Sequence, residues 1–282
     1  MDPRDLKLRG IIKLREPGYY ALRLRIPMGE ASVRDLEVIG AVASKYGRGY
    51  VSLTSRLGVE IPWVREEDLE AARAELARAG IVLAGCGPRV RSIVVCKGNV
   101  CPYGLYDIKA LGEELDRRFN GPRILPHKFK IALSGCSNAC SRPQHNDFGA
   151  LGRVEPELID DLCTGCELCA VRCPTGAITM RGDLPRRDET KCILCGECVE
   201  ACPTGAWRRA RVGVSIYLGG KYGKMPRRGH LLVELYPVEE VPELVGRVLD
   251  FYAQHGRAGE RLLETVERVG LEETARALGV MR

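Results

Sequence analysis

The sequence lacks the features that would place the protein in a membrane, a secretory pathway or a nucleic-acid complex. No apolar run approaches the ~18 residues that a membrane-spanning helix needs. The first ten residues, MDPRDLKLRG, are charged and contain no signal-peptide-like apolar stretch, so we expect a cytoplasmic protein with no membrane partner. Aromatic residues make up only 6% of the chain and no nucleic-acid-binding motif is present, which argues against nucleic acid as a partner.

The bulk composition is that of a globular protein. The chain has 282 residues, of which 45% are hydrophobic and 28% charged, enough for one large domain or two smaller ones with real cores. The formal net charge of +6 has two interpretations. It either solubilises the surface or attracts anions such as an acidic cofactor and a small oxyanion.

Cysteine is abundant, with 13 residues. Secreted disulfide scaffolds are short and do not cluster cysteines at x2 spacing beside proline, so this pattern does not indicate disulfides. In a reducing compartment such cysteines are thiolates that bind metal. The thirteenth, Cys86 in GCGPRV, belongs to no group and is predicted to be a buried or unligated thiol.

Eight cysteines belong to an internal repeat, CTGCELCAVRCPTGA at 163–177 and CILCGECVEACPTGA at 192–206. The x2 spacings let three thiolates reach three corners of one cubane, while the fourth cysteine, before proline, ligates the partner cluster. One [4Fe–4S] cluster is therefore predicted on Cys163, Cys166, Cys169 and Cys202. The other is predicted on Cys192, Cys195, Cys198 and Cys173. The repeat resembles a bacterial two-cluster ferredoxin, which passes single electrons from a donor protein to an acceptor.

Hydrophobic spacing predicts an α+β fold. Residues 20–27 alternate as a strand with Arg23 and Arg25 on its polar face, and 127–134 alternate with Lys128 and Lys130 on theirs. Further strands are predicted over 50–54, 58–63, 91–96, 213–218 and 231–236. Helices are predicted over 33–46, 66–80, 104–119, 239–254, 259–269 and 271–279. Residues 158–209, which hold both cysteine runs, are predicted to be a small inserted module.

Four cysteines form a split set, Cys96-x4-Cys101 and Cys136-x3-Cys140. Two short-spaced pairs can converge on one cubane, although the spacing alone also allows a structural zinc ion or an ordinary third cluster. The surrounding segments go further. LPHKFK followed by SGC-x3-C and GALG, the early segment PGYYALRLRIPMGEASVRDLEVIGAVASKYGRGYVSLTSRLGVEI, and GGKYGKMPRRG together resemble the sirohaem sulfite and nitrite reductase family.

This resemblance implies a single nitrite/sulfite reductase half-domain repeat with an inserted 2[4Fe-4S] ferredoxin module. Residues 1–85 would be the ferredoxin-like half-domain, 86–157 with 210–282 the sirohaem and [4Fe–4S] domain, and 158–209 the inserted module. It also implies a third [4Fe–4S] cluster on the split set, with Cys140 shared with the sirohaem iron. The chain departs from the family pattern in its x4 spacing, commonly x5, and in carrying one half-domain where two build a pocket. We therefore expect a homodimer or a partner reductase subunit, with Lys128 and Lys130 serving the neighbouring chain's sirohaem.

The resemblance also nominates site residues. The candidates for binding and protonating the small oxyanion substrate are Arg56, Arg91, Lys128 and Lys130. Arg23 and Arg25 would bind sulfite or sirohaem carboxylates, and Gly219, Gly220 and Lys221 would approach the cofactor edge. The alternatives are cations that face water and a plain turn at Gly219, while His127 and His145 are predicted to be ordinary hydrogen-bonding residues.

The predicted activity is the six-electron reduction of sulfite to sulfide on sirohaem, fed through the ferredoxin-type clusters. Two rivals remain at this point. One is nitrite reduction on the same fold, and the other is a non-catalytic iron–sulfur electron-transfer subunit without sirohaem.

Overall fold

Two separate sheets organise the chain, of which the computed structural model describes residues 3–280. The first sheet is antiparallel, with strand order β1-β2-β4-β3. Its elements are α1 (Pro3–Leu8), β1 (Ile11–Lys13), β2 (Tyr19–Leu24), α2 (Val33–Tyr46), β3 (Ser52–Leu53), β4 (Val59–Arg65) and α3 (Leu69–Arg78). The apolar face of β2, including Leu22 and Leu24, is fully buried against α2 and α3, as the alternation predicts.

Local capping sets the ends of α2. Ser32 accepts a hydrogen bond from the Asp35 amide and Asp35 accepts one from the Ser32 amide, which is a complete capping box. The helix ends at Gly47, where a Cβ would lie 2.9 Å from the Pro62 carbonyl oxygen. The prediction of a helix over 33–46 is therefore confirmed to the residue.

The remaining elements follow in chain order. They are β5 (Val94–Val95), α4 (Ile108–Phe119), β6 (Ile131–Ser134), β7 (Phe148–Leu158), α5 (Leu168–Arg172), β8 (Ile178–Arg181), β9 (Leu184–Arg187), α6 (Glu197–Glu200), β10 (Trp207–Leu218), β11 (His230–Tyr236), α7 (Val241–His255), α8 (Leu262–Val269) and α9 (Leu271–Ala277). The second sheet has the order β11-β10-β7-β6-β5, and α4 and α7 supply helical residues to its core. In it β5, β6 and β7 are parallel, whereas β7, β10 and β11 are antiparallel.

Strands β7 and β10 form a long ladder that reaches the cysteine repeat. Their pairing runs from Phe148 with Leu218 to Leu158 with Trp207. The two ends of the intervening segment, 159–206, are therefore neighbours. This segment has a small core of its own, formed around Cys169, Ile178, Cys198 and Trp207.

Several predicted elements are shorter in the structure. The strand predicted over 127–134 is reduced to Ile131–Ser134, which leaves Lys128 and Lys130 before it, and the strand predicted over 50–54 is reduced to Ser52–Leu53. The helix predicted from 104 begins at Ile108, because the Asp107 side chain accepts a hydrogen bond from the Ala110 amide and caps the first turn. The backbone at Gly104 instead lies against Gly98, where a Cβ would be 2.1 Å from the Gly98 carbonyl oxygen. The strand predicted over 91–96 is reduced to Val94–Val95. Among residues 3–280, no helix combines the length and apolarity required to cross a membrane.

Candidate iron–sulfur sites and a cation cluster

The two cysteine runs line two separate cavities. One has an empty volume of about 320 Å³ and is lined by Cys173, Cys192, Cys195 and Cys198. We call it the second-run site. The other has an empty volume of about 300 Å³ and is lined by Cys163, Cys166, Cys169 and Cys202, and we call it the first-run site. In each cavity the fourth cysteine comes from the opposite run, which is the exchange that the sequence predicts.

The four cysteines of each run site surround a cavity and do not converge on the position of a single metal ion. Within residues 3–280, no three His, Cys, Asp or Glu side chains are close enough to share one metal ion. The indole Nε1 of Trp207, which lines the first-run site, is buried without a hydrogen-bond partner among the described residues. This N–H faces the thiol of Cys169, whose pKa is raised by burial against the opposing effect of the indole. A four-iron cluster with sulfur acceptors fits such a cavity.

The two exchanged cysteines have matching surroundings. The Ala177 amide donates to Cys173 Sγ at 3.3 Å, and the Trp207 amide donates to Cys202 Sγ at 3.5 Å. Burial raises the pKa of both thiols, but hydrogen bonds from amides and from Thr175 and Thr204 outweigh it and leave each pKa below its usual value. The repeated PTGA turn therefore favours the thiolate form, which is the form that binds metal.

The split set assembles where parallel strands end. Cys96 directly follows β5, and Cys136 lies two residues beyond β6, so both occupy the carboxyl edge of the sheet. With Cys101 and Cys140 they line a cavity with an empty volume of about 1000 Å³, which we call the split site. The Gly135 amide donates to Cys96 Sγ at 3.2 Å. A Cβ at Gly98 would lie 2.8 Å from Ile108 Cγ2, so glycine there permits the close packing of this loop beside Cys96.

A tyrosine that no sequence motif marks supports the split site. Tyr106 donates its hydroxyl to the Ser134 carbonyl at 3.3 Å. Burial raises the pKa of this hydroxyl, and the nearby thiols of Cys96 and Cys136 raise it further. Tyr106 therefore stays protonated and braces the end of β6. Of the four cysteines around the split site, Cys140 is the exposed one.

Arg56 is anchored between the two sheets. Its guanidinium donates to the Ser92 carbonyl at 2.5 Å, to the Ile131 carbonyl at 3.2 Å and to Asn146 Oδ1 at 3.1 Å. Burial lowers its pKa to about 10, and the positive charge of Arg91 contributes to this lowering. Such a guanidinium is held in place by neutral acceptors and lacks a full counter-charge.

Lys128 and Lys130, which were predicted to act with Arg56, lie within the electrostatic influence of the nearby arginines. Burial, together with the charges of Arg56 and Arg261, lowers the pKa of Lys130 to about 8. The pKa of Lys128 is lowered by burial and then by Arg261 and Arg91. We define the cation cluster as Arg56, Arg91, Lys128, Lys130 and Arg261.

Arg261 and Asp147 are the members of this region that sequence reasoning missed. Arg261 makes a bidentate ion pair with the fully buried Asp147, at 2.8 and 2.7 Å. Asp147 Oδ2 also accepts the backbone amide of Lys130 at 2.8 Å. Burial raises the pKa of Asp147, which its hydrogen bonds with Arg261 oppose. Arg261 precedes α8 and is remote in sequence, so no local motif marked it.

A fourth cavity, with an empty volume of about 520 Å³, is lined by three of the predicted arginines, Arg23, Arg56 and Arg91. Arg23 pairs with Glu60 at 2.5 Å. Arg23 and Arg91 also donate to the sulfur of Cys86, at 2.8 and 3.0 Å. Cys86 is buried between the two guanidiniums and lines none of the three cysteine cavities.

Other predicted cofactor residues lie elsewhere. Arg25 pairs with Asp116 and links β2 to α4. Lys221 pairs with Glu264 at 2.5 Å. A Cβ at Gly220 would lie 2.3 Å from the Gln144 carbonyl oxygen, so that glycine permits close backbone packing. Gly219 takes a positive φ of 79° and its amide donates to the Asp147 carbonyl. None of these lines the cavities described above, and their cofactor role stays a prediction.

His127 makes an ordinary hydrogen bond, as predicted, whereas the buried Nδ1 of His145 has no hydrogen-bond partner among the described residues. His127 Nδ1 accepts the Lys128 amide at 2.7 Å, while the ring of His145 packs edge-on against Tyr222 with its centroid 5.8 Å away.

The cation cluster and the split site occupy opposite ends of the same strands. Lys128 and Lys130 precede β6, whereas Cys136 follows it. An extended chain from Lys130 to Cys136 covers about 20 Å at ~3.3 Å per residue. Within one chain, the lysines therefore do not reach over the split site.

Three cysteine-lined cavities, with a partly buried cation cluster at the opposite end of β6 from the split site, are the features of an iron–sulfur oxidoreductase. The chain belongs to the nitrite and sulfite reductase family. The family model described as "Nitrite and sulphite reductase 4Fe-4S domain" matches residues 86–281, and the model described as "Nitrite/Sulfite reductase ferredoxin-like half domain" matches residues 12–79. The resemblance inferred from the motifs is confirmed.

Individual relatives agree with this assignment. The chain is 34% identical over 265 residues to the coenzyme F420-dependent sulfite reductase of Methanocaldococcus jannaschii, covering 93% of this chain but only 42% of that enzyme. It is 28% identical to one subunit of the anaerobic sulfite reductase of Salmonella typhimurium, covering 86% of this chain and 79% of that polypeptide. The crystal structure of dissimilatory sulfite reductase I superposes with a TM-score of 0.77 at 22% identity, covering 94% of this chain and 70% of that chain. That likeness establishes the fold.

Proposed function

We propose that this protein reduces sulfite to sulfide with sirohaem and three [4Fe–4S] clusters, receiving electrons through the cysteine repeat. The observation that carries the proposal is the cation cluster. Arg56 and Lys130 are partly buried and repel each other, and their pKa values are lowered to about 10 and about 8. A bound anion would relieve this repulsion. A protein that only transfers electrons binds no anionic substrate and would not need such a cluster.

The residues present fit the proposed cofactors. The split site, with an empty volume of about 1000 Å³, is wider and more open to solvent than either run site, so a group larger than a cluster would have access to its cysteines. Cys140, the exposed ligand, would be the one shared with the sirohaem iron. When bound, sirohaem would supply the iron centre at which sulfite accepts electrons and protons and loses its oxygens as water.

The sirohaem site would be completed by a second chain. Eight sirohaem carboxylates need many cationic donors, and Lys97 is the one cation among the residues that line the split site. The cation cluster lies at the far end of β5 and β6. We therefore propose a homodimer, or a pair with a related subunit, in which the cluster of one chain faces the split site of the other.

Four members of the cluster would bind the substrate, protonate it or position the group that does. Arg56 and Arg91 would bind the sulfite oxygens through fixed guanidiniums. Lys130, with its pKa near 8, would hold a proton at Nζ at neutral pH and give it up as oxygen leaves as water. Asp147 and Arg261 would fix the backbone at Lys130, just before β6.

Residues 159–206 would act as the inserted ferredoxin module, with predicted bounds at 158–209. The paired ends of β7 and β10 support an insertion, because they return the chain to the same sheet. A donor protein would reduce this module. The chain spans less than half of the F420-dependent relative, so the identity of the donor is also a proposal.

Anaerobic purification followed by absorption spectroscopy and iron analysis tests the proposal. We expect sirohaem bands and roughly twelve cluster irons plus one haem iron per chain. Steady-state assays with sulfite and nitrite under one reductant then decide the substrate, and sulfite should be the better one. Full cluster loading without sirohaem bands would instead identify an electron-transfer subunit.

A further inference from the structure

A wide groove connects the split site with one of the two run sites. Its empty volume is about 1130 Å³, and its lining includes Cys136 of the split site and Cys195 of the second-run site. The remaining lining includes Tyr103, Ile193 and Arg209. None of the four cysteines of the first-run site lines it. The second-run site is therefore the one that faces the split site.

Strand β7 holds the two cysteine loops together at this groove. At Gly152 the strand touches the split-site loop so closely that a Cβ would lie 2.3 Å from the Gly135 carbonyl oxygen. Two residues later, the Val154 amide donates to the Leu194 carbonyl at 2.9 Å. Leu194 lies between Cys192 and Cys195, so nearby positions of one strand contact both sites.

Arg153 lies between these two contacts and bonds to both loops. Its Nη1 donates to Ser137 Oγ at 2.9 Å and to the Ile193 carbonyl at 2.6 Å. Its Nε donates to Ser215 Oγ at 2.9 Å, and that buried hydroxyl donates to the Glu234 carbonyl at 2.7 Å. Ser137 directly follows Cys136, and Ile193 directly follows Cys192. One guanidinium thus joins residues next to ligands of two different sites and is itself fixed by the sheet.

We infer that Arg153 is a positioning residue that sets the distance and the hydrogen-bonded connection between the second-run site and the split site. Electrons would then cross from the second-run site, while the first-run site is the outer one that a donor reduces. In this step one electron leaves the second-run site, which is oxidised, and enters the split site, which is reduced, with no atom transferred. The inference rests on the proposed function because it takes both sites to hold clusters.

The test uses the full chain, purified anaerobically with its cofactors, and compares Arg153→Met with Arg211→Met. Arg211 is the matched control because it lies on the adjoining strand β10 and pairs with Glu155 at 2.7 Å on the exposed surface. Each protein is mixed with sub-stoichiometric dithionite, and rapid freeze-quench electron paramagnetic resonance follows the reduction of each cluster.

We expect the run-site clusters of Arg153→Met to be reduced at the wild-type rate. Reduction of the split-site cluster should slow by about tenfold or more, the lower end of what loss of an outer-shell partner costs at metal sites. Arg153→Lys should restore part of the rate, since one ammonium cannot make the forked contacts of a guanidinium. Arg211→Met should match the wild type.

A second variant, Ser137→Ala, tests the inference if Arg153→Met fails to load its clusters. Ser137→Ala removes one hydroxyl and keeps the Arg153 bond to Ile193, so it should load all clusters and still slow the same step. Unchanged transfer in fully loaded Arg153→Met and Ser137→Ala proteins would overturn the inference while leaving the proposed function intact. A wild-type protein that binds no cluster at the split site would overturn both.

Discussion

The repeated cysteine runs and the split site hold the same kind of ligand in opposite ways. The run sites draw their thiolates from 163–202, and short turns such as PTGA arrange them with local hydrogen bonds. The split site joins two cysteine pairs that a helix and a strand separate, and it exists only where β5 and β6 end side by side. A site made by local turns is insulated from the rest of the fold, whereas a site made by packing depends on it.

The cation cluster belongs with the split site in this comparison. Its five members come from four separate stretches of chain, and a buried ion pair between Asp147 and Arg261 holds the assembly. Packing brings several positive charges close enough to repel one another, although they are far apart in sequence. The run sites, which are proposed to carry electrons, therefore depend on local sequence. The cation cluster, which is proposed to bind the anion, depends on the whole fold.

The largest effect should come from removing a ligand of the split site. In Cys136→Ser we expect sulfite reduction to be lost altogether, because the split-site cluster that would pass electrons to sirohaem loses a ligand. Cluster iron and labile sulfide should fall by about a third, because the run sites keep theirs. Cys86→Ser is the control and should retain all the iron. Loss of iron from all three sites in Cys136→Ser would break the distinction between local and packed sites.

Lys130→Met should lower the rate of sulfite reduction by about 10²- to 10⁴-fold, the range for removing a proton donor. The wild-type rate should fall as pH rises through about 8, because Lys130 is protonated below its pKa and neutral above it. Lys130→Arg should remove that fall, since arginine stays protonated. Sulfite's own titration is common to both proteins. Identical pH profiles for the wild type and Lys130→Arg would exclude Lys130 as the group that titrates. Lys109→Met is the control, because Lys109 lies in an exposed ion pair with Glu30 and its loss should leave the rate unchanged.

Gly152→Ala tests whether packing alone maintains the split site. The new Cβ would lie 2.3 Å from the Gly135 carbonyl oxygen, so β7 must move away from the Cys136 loop. We expect the free energy of unfolding to fall by about 1–3 kcal/mol, as for overpacking, and the split-site iron to be partly lost. Thermal unfolding and iron analysis measure the two. Gly40→Ala on α2, where a Cβ meets nothing within 4 Å, should be neutral or stabilising. Full iron in Gly152→Ala would contradict the close-contact argument.

The smallest effect should be at a run site. Trp207→Phe removes the buried indole N–H at the first-run site and keeps an aromatic ring. Hydrogen bonds to cluster sulfurs raise the reduction potential, so the potential of this cluster should drop by less than about 60 mV, a tenfold change in the one-electron equilibrium. A redox titration followed by electron paramagnetic resonance measures it. Trp63→Phe, remote from the cysteines, should change nothing, and an unshifted potential in Trp207→Phe would show that the N–H has no sulfur partner.

Much of the local structure could be predicted because its causes are local. Ser32, Asp35 and Gly47 fix α2 through contacts within a few residues. The exchange of Cys173 and Cys202 follows from a spacing rule that a turn enforces. The start of α4 was missed because the Asp107 cap competes with an unbroken helical pattern upstream.

The residues that could not be predicted act across long separations. Asp147 meets Arg261, Tyr106 reaches Ser134, and Arg153 joins Ser137 to Ile193, and none of these pairs leaves a periodic or spacing signal. Arg25 and Lys221 were predicted to bind a cofactor, and the ion pairs that they make could not be predicted. Their partners, Asp116 and Glu264, are remote in sequence.

The sequence by itself determined the ligands expected at the run sites, most helices and strands, and membership of the nitrite and sulfite reductase family. The ligands and the elements follow from spacing, capping and side-chain alternation, which act over a few residues, whereas the family follows from the resemblance of the motifs to known members. The tertiary structure alone decided that the split cysteines and the cation cluster lie at opposite ends of β6, and that Arg153 bonds to the loops of both the second-run site and the split site. Such relations depend on which strands pair and how closely they pack, and these are properties of the whole fold.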